Sequence, residues 1–66
     1  MYVIRCLPTE VAAVYYYAGT DEKGTPLFAI DREVATRFPN QLEAERAANP
    51  LLYDRRIRTY RIEPED

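Results

Sequence analysis

Two periods of apolar residues run along this chain, and the change between them divides it into a strand-forming half, a helical stretch and a final strand. Tyr2, Val3, Ile4, Cys6 and Leu7 form an apolar, β-branched run interrupted at Arg5 and stopped by Pro8, which predicts a strand over residues 2–7. Val14, Tyr15, Tyr16 and Tyr17 are all good strand formers and give the strongest strand signal in the sequence. The polar stretch 19–24 has a glycine at each end, as a hairpin loop would. Leu27, Phe28, Ala29 and Ile30 then read as a short buried strand, with Pro26 at its start where no ladder donor is required.

The period then lengthens. Asp31 can cap a helix, Glu33 suits its first turn, and Val34, Ala35 and Phe38 fall at helical spacing, so a short helix over 31–38 is expected to end at Pro39. Asn40 and Glu43 have the spacing of a capping box. Ala44, Ala47, Ala48 and Leu51 make a narrow apolar stripe suited to close packing on a sheet, with Asn49 and Pro50 expected to close that second helix. Residues 53–62 read as a last strand with one flaw: Ile57 and Tyr60 are three apart and cannot share a face under strict alternation. A bulge near Arg58 and Thr59 would bring Ile57, Tyr60 and Ile62 to the same side. The order β-β-β-α-α-β predicts an α+β fold. It would be a single two-layer domain over residues 1–66, with an antiparallel sheet of three to four strands and two short helices on one face.

Size narrows the chemistry. A chain of 66 residues makes a thin core, and Cys6 has no second cysteine to pair with, so it reads as a reduced, buried thiol suited to the cytoplasm. The chain opens on Met1 and its first apolar run is too short for a leader or a membrane span, so a complete small gene product is expected. Histidine is absent, and the carboxylates of Asp31 and Glu33, or of Glu43 and Glu45, are two apart and do not meet on a helix face. No nucleophile–base or metal-ligand spacing is present. The expectation is a protein that is not an enzyme and needs no cofactor or metal.

Charge and aromatics supply the candidate surfaces. Net charge is −2, from nine basic and eleven acidic side chains, which argues against general nucleic-acid binding. The placement is uneven: Arg55, Arg56, Arg58 and Arg61 crowd into one strand, followed by Glu63, Glu65 and Asp66. Tyrosines serve small sheets as core filler, but Tyr15 and Tyr17 share a face and are taken as the more exposed pair, available as contact anchors. The carboxylates of Asp21, Glu22, Glu33, Glu43 and Glu45, displayed on one side, could meet a basic surface of a nucleic-acid-binding protein. Tyr15, Tyr17 and these five form the candidate partner-binding set. One alternative is direct nucleic-acid contact through Arg55, Arg56, Arg58 and Tyr60 in a basic groove with stacking rings, and another is an accessory protein-interaction domain of unknown partner. Those arginines would otherwise guard the strand against aggregation and pair with Glu43, Glu45 or the acidic tail.

One resemblance is visible. Tyr15-Tyr16-Tyr17-Ala18-Gly19, a polar turn, Pro26-Leu27-Phe28, an Ala-x-x-Phe segment at Ala35 to Phe38 and a Glu-Ala-Glu helix at Glu43 to Glu45 resemble a layout of small bacterial and phage open reading frames. In size and mild acidity the chain is also similar to phage anti-CRISPR proteins that inhibit type I systems. That resemblance implies a monomer or weak homodimer in the host cytoplasm that binds a protein of the effector complex and blocks its access to DNA. It assigns no role to individual residues.

Overall fold

The apolar runs become strands. The computed structural model describes residues 1–10 and 12–65. Among them β1 (Tyr2–Pro8), β2 (Tyr15–Thr20), β3 (Pro26–Ala29) and β4 (Ile57–Pro64) form one antiparallel sheet in the order β3-β2-β1-β4. Three strands meander, and a long connection returns the chain to lie beside β1, the spatial order of a Greek key. The β2–β3 hairpin closes at Asp21, whose Oδ1 accepts from the amides of Lys23 at 2.8 Å and Thr25 at 2.9 Å. Gly24 completes the turn at a φ of 83°, which favours a residue without Cβ.

The connection holds one α-helix, α1 (Gln41–Ala48), and not two. Asn40 caps it as expected, its Oδ1 accepting from the Glu43 amide at 2.9 Å. The helix expected over 31–38 is only a single 3₁₀ turn, Arg32–Val34, capped by Asp31. Ala35 leaves it with extended backbone at φ −60° and ψ 142°. The reason is tertiary. The Thr36 amide donates to the Tyr17 carbonyl at 2.9 Å, and Phe38 exchanges main-chain bonds of 2.9 and 2.8 Å with Tyr2. Residues 36–38 thus lie between the splayed ends of β1 and β2 and act as a strand there. Pro39 reinforces the outcome by disfavouring helical backbone at Phe38. Pro50 does not stop the chain from coiling: a 3₁₀ helix, Asn49–Tyr53, continues directly from α1 with Pro50 in its first turn, where no amide is needed.

The two faces of the sheet are covered differently. Ile4, Cys6, Tyr17, Ala44, Ala48, Leu51 and Ile57 form the core between the sheet and α1, with Phe38, Tyr60 and Ile62 packed against it. Small Ala44 and Ala48 let the helix lie close, as the stripe predicts. Ile57 reaches the core because β4 bulges: Leu7 pairs with Thr59 and Pro8 with Ile57, leaving Arg58 as the extra residue. On the opposite face the 3₁₀ turn places Arg32 at 5.7 Å over the Tyr16 ring. There Arg32 bonds Glu65 at 3.1 Å and lies 3.7 Å from Glu63, Arg5 bonds Glu63 at 3.4 Å, and Arg37 also holds Glu65. Among the described residues no helix is long and apolar enough to cross a membrane.

Cys6 is fully buried in that core, and burial, with a smaller push from the charge of Asp54, raises its thiol to about 12. The folded state therefore holds the proton more tightly than the unfolded chain, whose thiol titrates near 9.0. Stability from this site is complete below about pH 9 and falls as pH rises towards 12. A thiol-specific disulfide reagent at pH 8 is expected to label the native protein at least about a hundredfold more slowly than the urea-unfolded chain, since labelling requires opening. Equal rates would contradict the burial.

Candidate partner-binding surfaces

Two groups of carboxylates differ in whether an arginine holds them. Asp54, Glu63 and Glu65 are engaged: Arg56 lies 2.7 Å from Asp54, and Arg5, Arg32 and Arg37 hold the other two. Hydrogen bonds from Arg56 keep Asp54 below the usual carboxylate range, and bonds from Arg37 and Arg32 do the same for Glu65. The acidic tail therefore pairs with arginines of β1 and the connection, and not with those of the last strand. Asp66 lies outside the described residues. By contrast Asp21, Glu22, Glu33, Glu43 and Glu45 are all exposed and make no ion pair among the described residues.

Register decides which of these five come together. β2 pairs with β1 only at Tyr15–Cys6 and Tyr16–Arg5 and then diverges from it around residues 36–38. Its hairpin leans towards the start of β4: Arg56 donates to the Pro26 carbonyl at 3.1 Å and lies over the Phe28 ring, and the charge of Asp21 at the tip acts on Arg56. α1 starts instead at the Tyr2 end of β1, because Asn40 comes two residues after Phe38, which bridges to Tyr2. Glu43 and Glu45 therefore share α1, Asp21 and Glu22 share the hairpin tip, and Glu33 lies on the 3₁₀ turn against the opposite face; the expectation that all five share one side is corrected to these separate groups.

The tyrosines are also corrected. Tyr17 is 8% exposed, stacks on Phe38 with ring centroids 6.0 Å apart and belongs to the core, so it is not an exposed anchor. Strand alternation put Tyr15 and Tyr17 on one face correctly, but that face is the one α1 covers. Tyr15 lies beyond the cover, half-buried, and borders two adjoining grooves, one with Phe28, Leu27 and Ile30 and the other with Thr9, Arg55 and Arg56. The most exposed ring among the described residues is Tyr53 at 84%. The sequence carries no signal for it, because the pattern places Tyr53 in a strand and the chain puts it in the 3₁₀ helix.

The arginine-rich segment does not build a stacking groove. Arg56 is held by Asp54 at 3.0 and 2.7 Å, donates to the Pro26 carbonyl at 3.1 Å and lies 5.0 Å over the Phe28 ring. Tyr60 faces the core beneath α1, directly across from Cys6, while Arg61 faces the other way, across from Arg5. Arg55 and Arg58 are exposed at the end of the sheet where β4 begins. Exposed charges of both signs are interspersed: Glu10 borders the groove of Arg55 and Arg56, and Lys23 and Arg46 lie next in sequence to the exposed carboxylates of the hairpin tip and α1.

No cluster of three or more potential metal ligands occurs among the described residues. No protein-family model, curated protein or solved structure matches this chain.

Proposed function

We propose that this chain is a non-catalytic, protein-binding inhibitor whose exposed carboxylates occupy a basic, DNA-binding surface of its partner. The observation that carries this reading is that Asp21, Glu22, Glu43 and Glu45 are exposed and make no ion pair among the described residues. Carboxylates left without an ion pair speed encounter with a positive surface and disfavour wrong partners. The resemblance to anti-CRISPR proteins supplies the partner to try first, a DNA-binding subunit of a type I CRISPR effector in the host cytoplasm, bound by one copy or a weak dimer. Immobilised protein is expected to capture the purified effector, and the captured effector to lose its shift of target DNA. No capture, or capture with DNA binding unchanged, overturns the proposal.

The exposed Arg55 and Arg58 support a second reading, direct binding of nucleic acid. Its mark is single-strand affinity that falls with salt, with a log–log slope reduced by about 0.7 when Arg58→Ala removes one phosphate contact. Absence of binding at low salt removes it.

A further inference from the structure

We infer that the outer edge of β4 is a docking site for an extended, acidic peptide segment, which adds to the sheet as a fifth strand. This surface is separate from the exposed carboxylates of the hairpin tip and α1 and does not rest on the function proposed above.

The main-chain geometry is fixed by two sets of bonds. The Glu65 amide donates to the Met1 carbonyl at 2.7 Å, and bonded pairs alternate along an antiparallel ladder. With Val3 opposite Glu63, Arg5 opposite Arg61 and Leu7 opposite Thr59, the main-chain groups of Glu63, Arg61 and Thr59 point to β1. Those of Tyr60 and Ile62 point away from it. The bonds that Tyr2 exchanges with Phe38, on the far side of β1, confirm the same phase. No other main-chain group among the described residues bonds Tyr60 or Ile62 from outside. Two donor–acceptor pairs two residues apart are what an added strand engages.

The other sheet edge is closed to this use. β3 has four residues, starts with a proline that has no amide, and shifts register against β2. On β4 the bulge at Arg58 and the proline at Pro64 bound the usable stretch to 59–63. That limits the site to a short segment and prevents open-ended growth of the sheet.

Charge selects the occupant. Arg58 and Arg61 are exposed along this edge and make no ion pair among the described residues. Glu63, the one carboxylate within β4, is already held by Arg5 and Arg32. An acidic strand would place its carboxylates against free guanidinium groups, whereas a second copy of this chain would bring arginine-bearing strands together and oppose pairing. The apolar side of the added strand would continue the face that carries Tyr60 and Ile62, both packed against the core.

The test uses the full chain and a short synthetic peptide alternating glutamate and valine, followed by amide hydrogen exchange. Peptide binding is expected to slow exchange at Tyr60 and Ile62 while leaving Thr59 and Arg61, already bonded to β1, unchanged. The double variant Arg58→Glu with Arg61→Glu, folded by circular dichroism, is expected to bind at least about tenfold more weakly. Four results would overturn the inference: no binding, equal binding of a lysine–valine peptide, binding without protection of Tyr60 and Ile62, or protection of those amides by self-association alone. Binding of an oligothymidylate in preference to the acidic peptide would also overturn it.

Discussion

Leu51→Ala is expected to remove about 3 kcal/mol of stability, a large part of what so small a domain possesses. Leu51 is 1% exposed and sits in the 3₁₀ helix after α1, where it seals the core beside Ala48 and Ile57. Both helical neighbours on that stripe are alanines, so nothing on the helix side is long enough to collapse into the space. A domain of this length has roughly 3–10 kcal/mol in total. A loss of about 3 kcal/mol lowers the midpoint of thermal unfolding by roughly 12–24 °C. The adjacent Leu52 is 62% exposed, and Leu52→Ala is expected to change stability by no more than about 0.5 kcal/mol. Melting both variants by circular dichroism checks the account. Equal losses from the two leucines would mean that the stripe does not pack as described.

The second large effect concerns binding. Changing Glu22, Glu43 and Glu45 to lysine, with Asp21→Asn, is expected to slow association with a basic protein partner by about a hundredfold. Asparagine is chosen at 21 because Asp21 Oδ1 folds the hairpin tip through the Lys23 and Thr25 amides, and an amide oxygen can replace it. The variant should melt close to the parent protein, apart from the modest cost of a lysine in the first turn of α1. Raising salt should slow the parent and leave the variant little changed. Stopped-flow association at two ionic strengths measures both. An unchanged rate would remove these carboxylates from the interface.

Local signals in the sequence were read correctly where local physics governs. The Asn40 cap, the Ala44–Ala48–Leu51 stripe and the bulge at Arg58 all follow from side chains that act within a few residues of one another. The helix expected over 31–38 does not form, although its capping and spacing are real, because the Tyr17 carbonyl and the Tyr2 main chain offer bonds that a lone helix cannot match. Those partners lie far away in sequence and leave no periodic trace at 31–38. Tyr17 is buried against expectation for a related reason. Alternation shows that Tyr15 and Tyr17 share a face, but not which face the helix will cover. Which carboxylates stay free is hidden too, because it depends on strand order and on the tail finding Arg32 and Arg37. The carboxylates that remain unpaired can be recognised only after those pairs are assigned.

The central claim is that this chain acts by occupancy, one copy for each site, with no substrate transformed. Titrating it into a fixed amount of type I effector, well above the dissociation constant, and reading target-DNA binding tests that claim most directly. The account predicts a linear fall to a sharp break at a whole-number ratio of chain to effector, the same after minutes or hours. Complete loss of DNA binding at a small fraction of that ratio, deepening with time, would show turnover and contradict it.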